Sequence, residues 1–416
     1  MYRLSNHFTL AMLLIFLCLA APGMAWALQA FALKVNPQGE QVWYQGLQEK
    51  MIGSPDDGGL GPEIELDEEN NVYLTAFLFV AGLSNDGQVI WKVAIRAPLN
   101  LLAFREGVAF EEYIDFSHII YRYNINGLLW STFLDDYIVE DMQPGLSNYL
   151  YTFGITSSTE EEYTIIVIDS EGDILHKYHY LIDNSYSRYS CLFSLHDSGF
   201  YVASYCSRAG HEDEDDLFCL DSHSLDGERI GFAVVDMAEA KTLTTDADGN
   251  ALLACMDIYD ISPEGEVLWS FEVGGVVYDM QVDTDGSIYA LSQPGDSRAI
   301  LTRLDADGGF LWQEQYRGEH IRARTLRLDD DGNAYIVGTS CNDTGEWYTD
   351  CRALAIKYSS EGEPLWARTY QGVDGYDCYA YDAAVDADGN LYLSGYSHDS
   401  KDDGGGGNSL GCGCLP

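Results

Sequence analysis

At 416 residues the chain is long enough for one large core or two ordinary ones, so length leaves the number of domains open. Its composition is globular, 46% hydrophobic and 13% aromatic with 41 Gly, too aromatic for a disordered chain and suited to many short turns. A formal charge of −45, from 67 carboxylates against 22 basic residues, opposes binding to nucleic acid backbones and anionic lipid heads.

In chain order, residues 1–27 read as a signal peptide. Arg3 supplies the basic region, Phe8–Ala20 the apolar run, and Ala25-Trp26-Ala27 a small-x-small cleavage site. The run is short for a retained anchor, and Cys18 lacks the small residue that precedes a lipid-modified Cys. The expectation is export without lipid anchoring, with no integral membrane segment after cleavage and a final location outside the cell, at its surface or in the periplasm.

From residue 28 to 397 two patterns alternate. One is a strand, an Asp/Gly/Asn turn and a second strand, clearest in LTTDADGNALLAC (Leu243–Cys255), LRLDDDGNAYIVG (Leu326–Gly338) and AAVDADGNLYLSG (Ala383–Gly395). The other is a strand, a Gly turn, an aliphatic residue and Trp, as in SNDGQVIW ending at Trp91 and SPEGEVLW ending at Trp269. Trp43, Trp91, Trp130, His176, Gly231, Trp269, Trp312 and Trp366 mark this second pattern at intervals of 38–55 residues, with His176 and Gly231 in place of Trp. Period-two alternation makes each piece a half-buried strand. Asp and Asn bond their own backbone ahead of a Gly that accepts positive φ, so each pattern closes as a β-hairpin.

Two hairpins make a four-stranded unit that cannot bury both faces alone, and radial stacking buries them. A Trp at the same place in six units would fill the gap between neighbouring sheets. The chain begins with a Trp-type hairpin and ends with an Asp-Gly-type hairpin, so only a closed ring joins the two into one complete unit. The predicted fold is therefore all-β, an eight-bladed β-propeller closed by its N-terminal and C-terminal hairpins. Seven blades is the fallback if Leu102–Ile114, where Arg105-Glu106-Gly107 must turn, is only a connection. Residues 398–416, with four consecutive Gly and Cys412-Gly413-Cys414, read as a flexible tail.

The unit DAAVDADGNLYLSGYS, together with RALAIKYSSEGEPLWARTYQG, resembles the bacterial SBBP-type β-propeller repeat family. Asp382, Ala384, Asp386, Gly389, Asn390, Tyr392 and Gly395 match its first half, and Lys357, Gly362, Trp366, Tyr370 and Gly372 its second. A looser similarity is to the quinoprotein-like eight-bladed propellers. The resemblance implies an exported or surface-associated propeller and carries no catalytic residue across.

Ten Cys are present, nine of them beyond the leader. Cys341 and Cys351 would close the loop NDTGEWYTD, and Cys206 and Cys219 the equivalent loop one pattern earlier, with Cys191 as a competitor for Cys206. Asp213, Asp215 and Asp216 in the acidic link could gather oxygen ligands for calcium, whereas the DADGN turns lack a full calcium loop. Trp347 and Tyr348, with Tyr376 and Tyr379 on the next link, form an aromatic rim that could contact a glycan or a cell-envelope protein. No nucleophile elbow, phosphate loop, zinc motif or haem-attachment motif occurs. The functional expectation is a monomeric exported propeller presenting a recognition or scaffold surface. The alternative is a secreted lyase, hydrolase or quinoprotein-like enzyme using the central funnel.

Overall fold

In four of the Asp-type turns the first Asp does the same work. Its Oδ1 accepts the backbone N–H groups two and four residues on, from Glu69 and Asn71 to Asp67, Asp248 and Asn250 to Asp246, Asp331 and Asn333 to Asp329, and Asp388 and Asn390 to Asp386. These bonds close each turn on the Asp side chain itself. In the computed structural model, residues 28–51, 61–95, 98–114, 117–145, 148–156, 162–181, 192–206, 217–237, 240–295, 297–343, 348–372 and 375–398 are described.

They form 32 strands in eight four-stranded antiparallel sheets. Blade 1 joins β31 (Asp377–Val385) and β32 (Leu391–His398) to β1 (Leu28–Val35) and β2 (Gln41–Met51). Along the chain follow blade 2 (β3–β6, Ile64–Ala94), blade 3 (β7–β10, Leu99–Leu134), blade 4 (β11–β14, Tyr137–Leu181) and blade 5 (β15–β18, Leu192–Val235). Blade 6 (β19–β22, Thr242–Glu272), blade 7 (β23–β26, Val276–Arg317) and blade 8 (β27–β30, His320–Tyr370) complete the ring. Its closure is direct: β1 pairs with β32 over Gln29↔Ser397 to Val35↔Leu391. The first strand of every blade touches the first strand of the next, from β31 through β3 and round to β27 and β31 again, so these strands line the axis. Leu102–Ile114 belongs to a true blade, with β7 ending at Phe104, β8 starting at Gly107 and Gly107 at φ +101°.

The core lies between blades. Trp43 Nε1 donates to the carbonyl of Asn85 in blade 2 at 2.9 Å, and Trp91, Trp130 and Trp312 reach turns of the following blades in the same way. Trp366 of blade 8 donates to Pro37 of blade 1 at 2.8 Å, and its ring lies so close to Gly39 that a Cβ there would stand 2.9 Å from it. Where Trp is missing, the seam is made differently. Tyr178, not His176, lies against Gly227 of blade 5 and is stacked on His176. At Gly231 the backbones of blades 5 and 6 approach directly, each leaving no room for a Cβ on the other's glycine, Gly231 or Gly265.

One feature recurs in all eight outermost strands. The residue just before the Trp position is an extra residue in the ladder, for example Leu268 between Ile261↔Val267 and Asp260↔Trp269. The same bulge falls at Val42, Ile90, Leu129, Leu175, Ile230, Leu311 and Leu365. One additional residue reverses the alternation of faces, which separates the side on which the hairpin turn is built from the side that carries the Trp.

Within blades 1 and 8 a cation completes the turn. Lys357 Nζ lies 3.1 Å from Asp329 Oδ2 and 2.5 Å from Tyr335 Oη, with both charged side chains 7% exposed. Lys34 pairs with Asp386 at 3.7 Å and bonds Asn85 of blade 2, to which Tyr392 also donates. The lysine-bearing third strand of the repeat therefore neutralises the buried Asp of its own blade.

Candidate functional site at the axial channel

The axis is built from a small kink repeated in the first strands. Glu140, Tyr278, Arg324 and Tyr381 are each an extra residue in the ladder of blades 4, 7, 8 and 1. In three of these the opposed residue of the second strand is Gly154, Gly338 or Gly395, where a Cβ would collide with the kinked strand's carbonyl oxygen. The last Gly of the Tyr-x-x-Gly motif is thus required by the approach of two backbones.

Beyond the kink, side chains reach across to the next blade. Asp382 Oδ2 accepts the N–H of Ile64 at 3.1 Å, Glu63 Oε2 that of Leu101 at 2.7 Å, and Asp279 Oδ2 that of Leu326 at 2.8 Å. Gln143 accepts the N–H of Leu195 at 2.7 Å and donates to Phe193. Gln293 and Thr339 receive Ala323 and Ala380 at the seams on either side of blade 8's first strand. Arg327 ties three blades, its guanidinium 2.8 Å from Asp382 and 3.3 Å from Asp279.

Carboxylates outnumber cations here, and they titrate accordingly. Burial pushes Glu65 up to about 8 despite the pull of Arg327, with Asp382 and Glu63 adding to the rise. Glu63 is pushed up to about 7 by burial, opposed by the Leu101 N–H and reinforced by Asp382, Glu111 and Asp141. Asp141 reaches about 7 by burial, with Glu111 and Glu140 contributing. All three are partly exposed, yet burial is the largest cause of each rise, so water reaches these carboxylates poorly.

On the blade 3 side stands a buried dyad. Glu111, 1% exposed, meets His118 Nδ1 at 2.5 Å, and Asn100 Nδ2 donates to its other oxygen at 2.7 Å. His118 is 2% exposed and its Nε2 has no hydrogen-bond partner among the described residues. Glu140 of blade 4 is the further carboxylate that feels both groups. Nothing in the repeat motif marks this pair, because Glu111 and His118 occur in a single blade and carboxylates are abundant throughout.

The sequence-predicted sites fall elsewhere. Cys341 and Cys351 form a disulfide between β28 (Ala334–Asp343) and β29 (Tyr348–Tyr358) of blade 8. Cys219 is also disulfide-bonded, while the side chain of Cys206 and the whole of Cys191 lie outside the described residues. Asp377 Oδ1 accepts the N–H of Cys351 at 3.0 Å, which brings the staple beside Tyr376 and Tyr379 of blade 1. Both tyrosines are half-buried, and Tyr379 packs edge-on against His398. Trp347, the side chain of Tyr348, and Asp213, Asp215 and Asp216 lie outside the described residues. Among the described residues no three His, Cys, Asp or Glu side chains are grouped as metal ligands.

Eight radial four-stranded sheets around a polar axis define a β-propeller. No family model and no curated protein sequence matches the chain. Solved propellers do match in fold. The dihydro-heme d1 dehydrogenase NirN in complex with DHE is 12% identical with a TM-score of 0.55, over 82% of this chain and 73% of that one. The Dos1 propeller is 9% identical with a TM-score of 0.52, over 87% and 81%. Apo AztD from Citrobacter koseri is 10% identical with a TM-score of 0.51, over 89% and 99%. At such identities the likeness is one of architecture alone.

Proposed function

We propose that the protein is an exported recognition or scaffold propeller that performs no chemistry at its axis. The observation that carries this reading is the commitment of the axial side chains. Asp382, Glu63, Gln143 and Asp279 each hold a backbone N–H of the neighbouring blade. A nucleophile or a general base must be free to meet substrate, and these side chains are held in place by blade-to-blade bonds instead. The Cys341–Cys351 staple suits an oxidising compartment. The partner is a glycan or a cell-envelope protein, met on the face that carries this staple, Tyr376 and Tyr379, with calcium as a candidate stabiliser. A glycan and envelope-protein binding screen, run beside turnover assays with lyase, hydrolase and quinoprotein substrates, tests the reading. Binding without turnover is expected, and turnover abolished by Asp382→Asn would refute it.

A second reading, a secreted enzyme, is favoured by the Glu111–His118 pair alone, since a carboxylate-oriented imidazole with an unpartnered, buried Nε2 keeps the lone pair that a base needs once substrate reaches it. Turnover lost in His118→Gln but kept in Asp382→Asn would select it.

A further inference from the structure

The outer rim carries a feature that ring closure does not require. Of the 20 exposed large hydrophobic side chains among the described residues, 16 lie on outermost strands and only Phe77, Leu78, Met256 and Tyr278 do not. Each blade contributes its bulged residue, with Ile90, Leu129, Leu268 and Leu365 at 50–53% exposure. An edge strand guarded against pairing with other chains normally carries charge or Pro at such a place. Here the bulge disrupts the ladder and yet presents an aliphatic side chain in all eight blades, at one height around the ring.

The turn beside each bulge has a consistent charge. Turns 36–40, 84–88, 124–127, 169–173, 224–228, 262–266, 305–309 and 359–363 contain no Lys or Arg, and seven of the eight contain at least one carboxylate. Glu40, Asp173, Glu228, Glu266 and Glu363 stand two residues before the bulged aliphatic and are exposed. Every blade thus offers an exposed aliphatic side chain, and nearly every one sets a negative charge beside it. A second copy of a chain with formal charge −45 is opposed by that charge.

We infer that this rim is a repeated docking surface for a basic amphipathic polypeptide, whose apolar side chains cover the bulged aliphatics while its Lys or Arg side chains meet the turn carboxylates. The inference rests on the recognition reading and assigns it a second face, away from the channel mouth. Because the bulge interrupts the edge ladder, the contact is made by side chains and not by strand addition.

The test compares a peptide of alternating Lys and Leu with an oligolysine of equal charge, by fluorescence anisotropy on the full protein at physiological and high salt. The Lys-Leu peptide is expected to bind about tenfold or more tightly than oligolysine. The Leu268→Ser/Leu311→Ser/Leu365→Ser variant, which leaves five blades intact, should show a smaller preference, with oligolysine binding and the circular dichroism spectrum unchanged. Equal affinity for the two peptides, or a preference undiminished in the triple variant, overturns the inference. So does self-association, or capture by neutral phosphatidylcholine vesicles, that the triple variant abolishes. Turnover at the axis in the same preparations would defeat the recognition reading while leaving the rim result to stand by itself.

Discussion

Replacing Lys357 by Met removes the cation that neutralises Asp329 inside blade 8. The ammonium sits 3.1 Å from Asp329 Oδ2 and both side chains are 7% exposed, so the variant leaves a carboxylate buried without its partner. Asp329 keeps its bonds to the N–H groups of Asp331 and Asn333, which hold it in place and prevent it from turning to water. Breaking a buried pair on one side costs about 3–5 kcal/mol. Asp329→Asn should be comparably harmful, since Asn can still accept the turn N–H groups but strands Lys357. The double variant Lys357→Met/Asp329→Asn buries no net charge and should recover to within about 1–2 kcal/mol of the parent. Urea unfolding followed by far-ultraviolet circular dichroism measures the three losses and their coupling. The sign of the pH response gives a second check. Burial alone would raise Asp329, but the Asn333 bonds and Lys357 hold it below its ordinary value, so its contribution is lost as pH falls through that lowered pKa. In Lys357→Met that acid-side loss should shrink. If the two single losses simply add in the double variant, or if Lys357→Met costs under about 1 kcal/mol, the buried-pair account is refuted.

Trp366→Ala removes a ring and an indole bond from the seam that closes the circle, and should destabilise by about 3–5 kcal/mol in the same urea assay. Glu63, Glu65 and Asp141 are raised to about 7, 8 and 7, so the folded protein holds protons that the unfolded chain releases. Stability from these groups is fully present below their ordinary values near 4 and is lost as pH rises through 7–8. Thermal unfolding should therefore move to lower temperature between about pH 4.5 and 8, the span from the ordinary carboxylate values to the raised ones, and Glu65→Gln should flatten the slope. Cys341→Ser/Cys351→Ser opens a staple with a sequence separation of 10 and should lower stability by about 2–3 kcal/mol, and reduction of the parent, which also opens the Cys219 disulfide, should lower it at least as far.

The eight-fold plan was legible in the chain because its signals are local. An Asp/Gly/Asn turn between alternating strands specifies a hairpin wherever it occurs, and the phase of the two patterns at the ends specifies a ring. Even the blade containing Leu102–Ile114, whose turn is only Arg105-Glu106, follows once its neighbours are placed. The Cys341–Cys351 link was legible for the same reason, since both residues flank one hairpin loop. The axial chemistry was not. Asp382 was visible as a motif residue, but its role is to receive Ile64, 318 positions away, and no local pattern announces that bond. Glu111 and His118 occur once and so gain nothing from repetition. The rim was hidden by a different cause. Period-two reading assigns the residue before each Trp to one face of a regular strand, and the bulge changes that assignment without altering residue type.

The pairing of β1 with β32 also sets a schedule for biosynthesis. The first hairpin leaves the ribosome about 360 residues before the strand that will flank it, a wait of roughly half a minute at usual elongation rates. Throughout that interval a nascent chain carries an unsatisfied β-edge at Phe31–Val35, of the kind holdase chaperones recognise. A chain that begins to fold only once its synthesis is complete is spared that wait, because both partners are then present together.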